Sequence, residues 1–428
     1  MSLVISRLCS GKLIFLLLLN LSVITIAQQE KEPLKLSEEK ITLQIAIDTA
    51  IINNPNLKVF AYEITSLEKL KIQAGLIPNP EVNFEVEDVF GSNELSGIKG
   101  SQYTLSIGKQ FELGGKRSKR VALAETEIVS SKDNYELLKL DIIASVKTTF
   151  LSLYKVQLQI EQQSKFVKLN EEINLTISER VKAGRTSPAE ESKVKVTLTN
   201  SKIELARLQR YFSSIQTQLN SQMGISGKNL IPITNLFESV LAPPTKQEIM
   251  GSTEDIPSIK LLQNEVNVRQ AKLELEKSIA IPNLTINGGV RYLNELNTNS
   301  FVAGVSIPIP IFNNNQGNIK TSEERLHQMN AIKKAQKLDV IAQLNTAYNN
   351  LLSAYHNSLQ LKNIIIQEAD NAYQITKQGY LQGRFAFIDM LDAQRTLFET
   401  QTQYLFEISD YYDSLIEIEK ITGKFLIK

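Results

Sequence analysis

Two stretches of this chain, about residues 41–223 and 247–423, carry the same landmarks in the same order. This duplication limits the possible folds more than any single motif does. Asn54-Pro55-Asn56-Leu57-Lys58 answers Ile256-Pro257-Ser258-Ile259-Lys260, and Ile77-Pro78-Asn79 answers Ile281-Pro282-Asn283. Ala183-Gly184-Arg185 answers Gln382-Gly383-Arg384, and the three offsets are 202, 204 and 199 residues, so the halves differ only by small insertions. Between them Gly224, Gly227, Pro232, Pro243-Pro244 and Gly251 gather the loop signals of a linker. The expected division is a first repeat over 28–223, a linker over 224–255 and a second repeat over 256–428.

Each half reads as helix, strand pair, long helix, tight turn, long helix. Strands are expected at about 81–90 and 101–109, then at about 283–292 and 301–308, because apolar and polar residues alternate there with period two. Val82, Phe84 and Val86 interleave with Glu81, Asn83 and Glu85; Leu284, Ile286, Val290 and Tyr292 lie on one parity of the third strand. Seven-residue rows follow each strand pair: Val146, Leu153, Ile160, Val167 and Leu198, Leu205, Phe212, Leu219 in the first half. The second half has Leu352, Leu359, Ile366, Tyr373, Tyr380 and Leu397, Tyr404, Tyr411, Ile418. These are coiled-coil seams. Residues 116–181 as one helix would run about 100 Å, a length found in rods and far above the usual helix of about 11 residues. The fold class is therefore mainly α with a small β part.

Arg7 and Lys12 precede an apolar run from Leu13 to Ile26, and Ala27 ends it before polar Gln28-Gln29-Glu30. This is the order of a cleavable secretory signal peptide over 1–27, and the run is shorter than the 18 or more residues of a spanning helix. Cys9, the only cysteine, precedes the run and is not a lipid acceptor, so no acyl anchor is expected. One cysteine and two histidines cannot build a zinc or iron–sulfur site or a disulfide framework. His327 and His356 lie on long helices without a second ligand four residues on, so no metal site and no cofactor are expected. Lys+Arg 47 against Asp+Glu 46, with no basic stripe, disfavours a nucleic-acid partner. No nucleophile, base and orienting group fall together, which speaks against an enzyme.

An exported chain with alternating strands belongs either to a soluble sheet or to a membrane barrel. Phe90, Tyr103, Tyr292 and Phe301 share the apolar parity beside two polar loops, as in an aromatic girdle, although four aromatics also cap a buried sheet edge. Four strands cannot close a membrane barrel, which takes at least about 8, and open edges in lipid cost several kcal/mol per unpaired group. A barrel reading thus forces oligomerisation, with the helical hairpins projecting together as a tube.

The motif set at this point resembles the TolC family of outer-membrane efflux ducts, over nearly the whole chain beyond residue 27. The residues that carry it are Ala74-Gly75-Leu76-Ile77-Pro78-Asn79-Pro80-Glu81, Gln110-Phe111-Glu112-Leu113-Gly114-Gly115-Lys116-Arg117, Pro308-Ile309-Pro310-Ile311-Phe312 and Ile388-Asp389-Met390-Leu391-Asp392-Ala393-Gln394-Arg395. The resemblance leans to the branch serving cobalt, zinc and cadmium or copper and silver exporters. It implies a homotrimer with one 12-stranded barrel in outer-membrane lipid. It also implies a helical tunnel across the periplasm, a periplasmic adaptor (membrane fusion) protein and an inner-membrane RND-type pump as partners, and heavy-metal cations as cargo. By the same resemblance Asp389, Asp392, Tyr380 and Glu190 form a periplasmic gate, while Gly184, Arg185, Gly383 and Arg384 are adaptor-contact tips. Asp389 and Asp392 also suit a solvated helix start, and Ser187-Pro188-Ala189-Glu190 also reads as a capping box. The family's lock arginine falls at Phe385, with Arg384 one residue earlier. The same architecture serving drugs or secreted polypeptides is the alternative function. A soluble periplasmic coiled-coil scaffold is another, though two hairpins in a duplicated chain speak against it.

Overall fold

The structure, a computed structural model, describes residues 38–427 apart from Ser239 and Ser252. The expected signal peptide lies outside the described residues. In chain order the elements are β1 (Glu38–Thr42), α1 (Leu43–Asn53), α2 (Pro55–Ala74), β2 (Glu81–Glu87), β3 (Gln102–Phe111), α3 (Lys116–Lys182) and α4 (Pro188–Gln222). Then come β4 (Asn229–Ile233), α5 (Lys246–Met250), α6 (Pro257–Ile279), β5 (Leu284–Leu293), β6 (Thr298–Ser306), α7 (Gln316–Gln360), α8 (Ile366–Leu381) and α9 (Phe387–Thr422). Helix starts follow sequence chemistry. Asn54 caps α2 and Ser187 caps α4 through their side chains, and Pro55, Pro188 and Pro257 occupy first-turn positions where no N–H partner is needed.

Helix α3, 67 residues long, is the spine. Nearer the strands it packs between α2 and α6, with α7 beyond α6; farther along it packs between α4 and α9, with α8 beyond α9. The largest apolar core lies between these levels, where Phe150, Leu151, Leu153, Leu219, Leu351, Ile408 and Tyr411 are buried against α1 and the small parallel sheet of β1 and β4. That two-stranded sheet falls within and before the expected linker and is not signalled by periodicity, since each strand is only 5 residues long. A separate, smaller cluster of Ile177, Val194, Tyr373, Tyr380, Phe387 and Met390 sits by the two helical turns.

Strands β2, β3, β5 and β6 form one antiparallel sheet in that order, so each half supplies a hairpin and the halves meet at β3–β5. The first strand ends at Glu87, short of Phe90, because Asp88 and Phe90 take positive φ of 56° and 58° and turn the chain out of the sheet. Tyr103 stacks on Phe84 and on its cross-strand partner Tyr292, at ring centroids 6.5 and 6.4 Å. One face of the sheet is apolar and uncovered, with Val82, Phe84, Leu105, Ile107, Val305 and Phe301 exposed, the last at 92%. The opposite face is polar. There Arg291 pairs with Glu87 at 2.8 Å and donates to Thr104 and Gln102 at 2.9 and 3.1 Å. Strands β2 and β6 keep one edge each without a partner among the described residues. No helix among the described residues is long and apolar enough to cross a membrane.

The second half departs from its expected heptad row. Leu344, Leu351 and Ser358 are buried seven apart, and the row continues eight residues on through half-buried Ile366 to buried Tyr373 and Tyr380. The step of eight coincides with a π-helical turn at Leu361–Ile365 joining α7 to α8. Such a turn accommodates one extra residue. The expected Leu352 and Leu359 therefore stand one position off the buried row, while Ile366, Tyr373 and Tyr380 fall on it. Within the π turn, Lys362 Nζ donates to the Glu238 carbonyl at 2.8 Å.

Candidate functional site

Both long helical hairpins end in the same backbone device. At the first turn the N–H of Arg185 donates to the Arg180 carbonyl at 2.8 Å and that of Gly184 to Val181 at 2.9 Å. At the second, Arg384 donates to Gly379 at 2.7 Å and Gly383 to Tyr380 at 3.0 Å. This paired pattern is a Schellman motif, and it needs a residue in the left-handed region. Gly184 and Gly383 supply it with φ of 65° and 75°. Arg185 and Arg384 stand exposed beside them.

The side chains around the turns have diverged. Glu190 and Asp389 occupy equivalent positions, 199 residues apart. Asp389 accepts the Ala386 backbone N–H at 3.0 Å, one half of a capping box whose other half alanine cannot make. Glu190 does not cap: Ser187 bonds instead to Ala189 N–H at 3.2 Å, and the Glu190 carboxylate accepts from the Thr186 hydroxyl and from the Tyr380 hydroxyl, the latter at 3.4 Å. The capping box expected at Ser187–Glu190 is thus absent, because the Ser187 hydroxyl accepts the Ala189 N–H and the Glu190 carboxylate accepts the Thr186 hydroxyl. Glu190 and Tyr380, 190 residues apart, are brought together.

Tyr380 is 7% exposed. Its ring packs on Phe387 at 5.4 Å, and the guanidinium of Arg180 lies 4.9 Å from the ring centroid. Burial pushes its phenol up from the ordinary range; Arg180 opposes the rise and the Glu190 charge adds to it. The hydroxyl is therefore a neutral donor at physiological pH. Arg180 and Thr186 were not legible as members of this cluster, since neither belongs to a motif or an apolar row. Farther along the hairpins the seam is polar. Gln394 donates to Asn170 at 3.2 Å and Gln163 to the Ser201 carbonyl at 2.9 Å, all from buried side chains.

Asp389 and Asp392 stand on the exposed rim of a groove between α8 and α9, beside Ala369, Ala372 and Thr376. Asp392 pairs with Arg395 at 2.6 Å one turn on, both well exposed. Neither aspartate touches the Tyr380 cluster in the contacts of the described residues.

The same arrangement of strands and hairpins is found in known proteins, and the outer membrane efflux protein family matches residues 46–224 and 253–424. The chain belongs to that family. It is 29% identical to the cobalt-zinc-cadmium resistance protein CzcC of Cupriavidus metallidurans over 384 residues, 90% of each chain. It is 22% identical to the nickel and cobalt resistance protein CnrC of the same organism over 249 residues, 58% of each. Among solved structures, CusC, described as forming a transmembrane channel, superposes with a TM-score of 0.74 at 14% identity, covering 90% of this chain and 92% of that one. The resemblance read from the sequence motifs and the TolC-type fold both hold. Family members are efflux channels of the outer membrane and not enzymes.

Proposed function

We propose that three copies of this chain form one passive duct, each lending β2, β3, β5 and β6 to a 12-stranded barrel in the outer membrane while the helical hairpins extend it as a periplasmic tunnel. The observation that carries this reading is the four-stranded sheet with an uncovered apolar face and two unpaired edges. In lipid each unpaired backbone group costs several kcal/mol, and pairing β6 of one copy with β2 of the next removes both edges. The polar face around Arg291 and Glu87 then lines the lumen.

The two repeats, 28–223 and 256–428 with the 224–255 segment between them, give each copy two hairpins. Export uses a cleaved signal peptide over 1–27, without lipidation. At the far end the turns at Gly184, Arg185, Gly383 and Arg384 meet a periplasmic adaptor, and an inner-membrane RND-type pump delivers the cargo. Asp389, Asp392, Tyr380 and Glu190 form the gate. Three copies bring six carboxylates from Asp389 and Asp392 to one constriction, a field that attracts cations. Likeness to cobalt-zinc-cadmium and nickel-cobalt resistance proteins supports heavy-metal cations as cargo.

The test is a deletion strain, with and without the gene restored, challenged with zinc, cobalt, cadmium, copper, silver and nickel salts and with dyes and detergents. Metal sensitivity cured by the gene is expected; sensitivity to dyes and detergents alone would remove the metal assignment. Purified protein in planar lipid bilayers should form cation-preferring channels, and protein that forms none would overturn the duct.

A further inference from the structure

We propose that Arg180 is the cation that fastens the two helical hairpins to each other at their turns, so that opening the gate requires lifting its guanidinium from the Tyr380 ring. The inference rests on the gate reading above and deepens it by naming a positioning residue.

Arg180 is in the last turn of α3 and Tyr380 in the last turn of α8, so their contact ties the first hairpin to the second. The distance of 4.9 Å is inside the range of about 6 Å over which the negative face of an aromatic ring attracts a cation. The ring is held from three directions: by Arg180 on α3, by Phe387 on α9, and through its hydroxyl by Glu190 on α4. Among the described residues Arg180 has no carboxylate within 4 Å and so makes no ion pair that would compete for it.

The second turn cannot supply this cation itself. The position equivalent to Arg180, 199 residues on, is Gly379. There the Phe385 ring occupies the space a Cβ would take, so no side chain can stand at that site without displacing the ring. Of the cations that flank Tyr380 in sequence, Lys377 lies over the Tyr373 ring at 5.7 Å, and Arg384 makes no side-chain hydrogen bond or ion pair among the described residues. The two turns are therefore complementary: one presents a ring and has its own cation site filled by Phe385, and the other reaches across with an arginine.

The attachment is thin, which makes one contact matter. The apolar cluster at this end has six buried members, separated from the main core by a seam carrying Asn170, Gln163 and Gln394. Arginine keeps its charge at every physiological pH, so the fastening yields to a force that moves α8 and α9 away from α3 and α4.

The experiment is single-channel recording of the purified full-length trimer in planar bilayers, comparing wild type with R180Q, R180K, Y380F and Y380L. Heat-modified gel mobility of each variant checks assembly. R180Q keeps much of the stem and loses the charge, so its open fraction should rise by about five-fold. R180K keeps a cation over the ring and should recover most of the closed behaviour. Y380F keeps the ring and should open less than Y380L, and R180Q should add nothing in a Y380L background. Wild-type channels with R180Q indistinguishable from wild type would overturn the proposal while leaving the duct intact, and so would R180Q and Y380L effects that simply add. Wild-type protein that forms no channels would remove the gate reading itself.

Discussion

Replacing Lys147 with methionine tests the deepest ion pair among the described residues. Lys147 Nζ meets Glu419 Oε2 at 2.6 Å, with side-chain exposures of 3% and 4%. The other oxygen of Glu419 accepts the backbone N–H groups of Leu426 and Ile427 at 2.5 and 2.6 Å, and Lys147 lies 5.3 Å over the Phe425 ring. One carboxylate thus holds the segment that follows α9 against α3. Methionine fills the lysine stem but strands a buried negative charge, and breaking such a pair from one side costs about 3 to 5 kcal/mol. Two N–H donors still face the carboxylate, so the lower figure applies. Detaching the tail lets Glu419 hydrate, so the free energy of local opening should fall by about 3 kcal/mol, about 100-fold in open population. Trypsin cleavage after Lys424, followed by mass spectrometry as loss of the residues beyond it, reads that population when reclosing outpaces cleavage. The double variant K147M/E419Q removes the charge and keeps an acceptor, and should return to within about ten-fold of wild type. Cleavage of K147M within about three-fold of wild type would refute the reasoning, as would a double variant cut as fast as the single one.

Gly289 lies opposite Ser106 in the β3–β5 pair, and a Cβ there would run into the Leu105 carbonyl and come within 2.7 Å of the Ser106 Cα. G289A should therefore lose most heat-modifiable trimer on gels, whereas G317A, in the first turn of α7 with open space around it and an ordinary helical φ, should assemble at no less than about half the wild-type yield. The Arg120 guanidinium bonds to Glu112 and holds its carboxyl below the usual carboxylate range, and it also grips the Ala74 and Leu76 carbonyls at 3.2 Å. A depressed acid stabilises the fold above its unfolded pKa, so R120M should lower thermal stability by about 1 kcal/mol at pH 7, with the gap closing as pH falls through the carboxylate range. Burial pushes the Asp413 carboxyl up, and its Oδ1 is buried without a hydrogen-bond partner among the described residues. The folded state binds that proton more tightly than the unfolded one, so wild-type stability falls as pH rises through the gap. D413N should raise the melting temperature at neutral pH and lose its advantage in acid.

The parts of this fold with strong periodicity were legible in the sequence. Alternation placed four strands within a few residues of their observed bounds, and the turns at Gly184 and Gly383 were fixed by the need for a left-handed residue. The misses have separate physical causes. Strand β2 stops at Glu87 because two residues with side chains adopt positive φ, which alternation does not encode. The β1–β4 sheet is built from 5-residue strands far apart in sequence, too short to show a period. The row Leu352, Leu359 slipped by one because a heptad reading assumes an unbroken α-helix, and the π turn at Leu361–Ile365 adds a residue. Beside the helical turns, the family resemblance named Tyr380 and Glu190 together, whereas Arg180 required the two helix ends to be seen side by side.

Duplication explains why the turns share a backbone and not a chemistry. A Schellman motif constrains φ at one glycine and the hydrogen bonds of its neighbours, and leaves the side chains four residues before and two after it free to change. Arg180 and Thr186 fill those positions in one copy, Gly379 and Phe385 in the other. In the first copy threonine donates a hydrogen bond to Glu190 and Arg180 reaches the Tyr380 ring; in the second, phenylalanine closes over glycine, so no cation stands at the position equivalent to Arg180. Two identical turns would present either two arginines to each other or two rings with no charge. The divergence of a pair of residues in each copy is what allows one turn to bind the other.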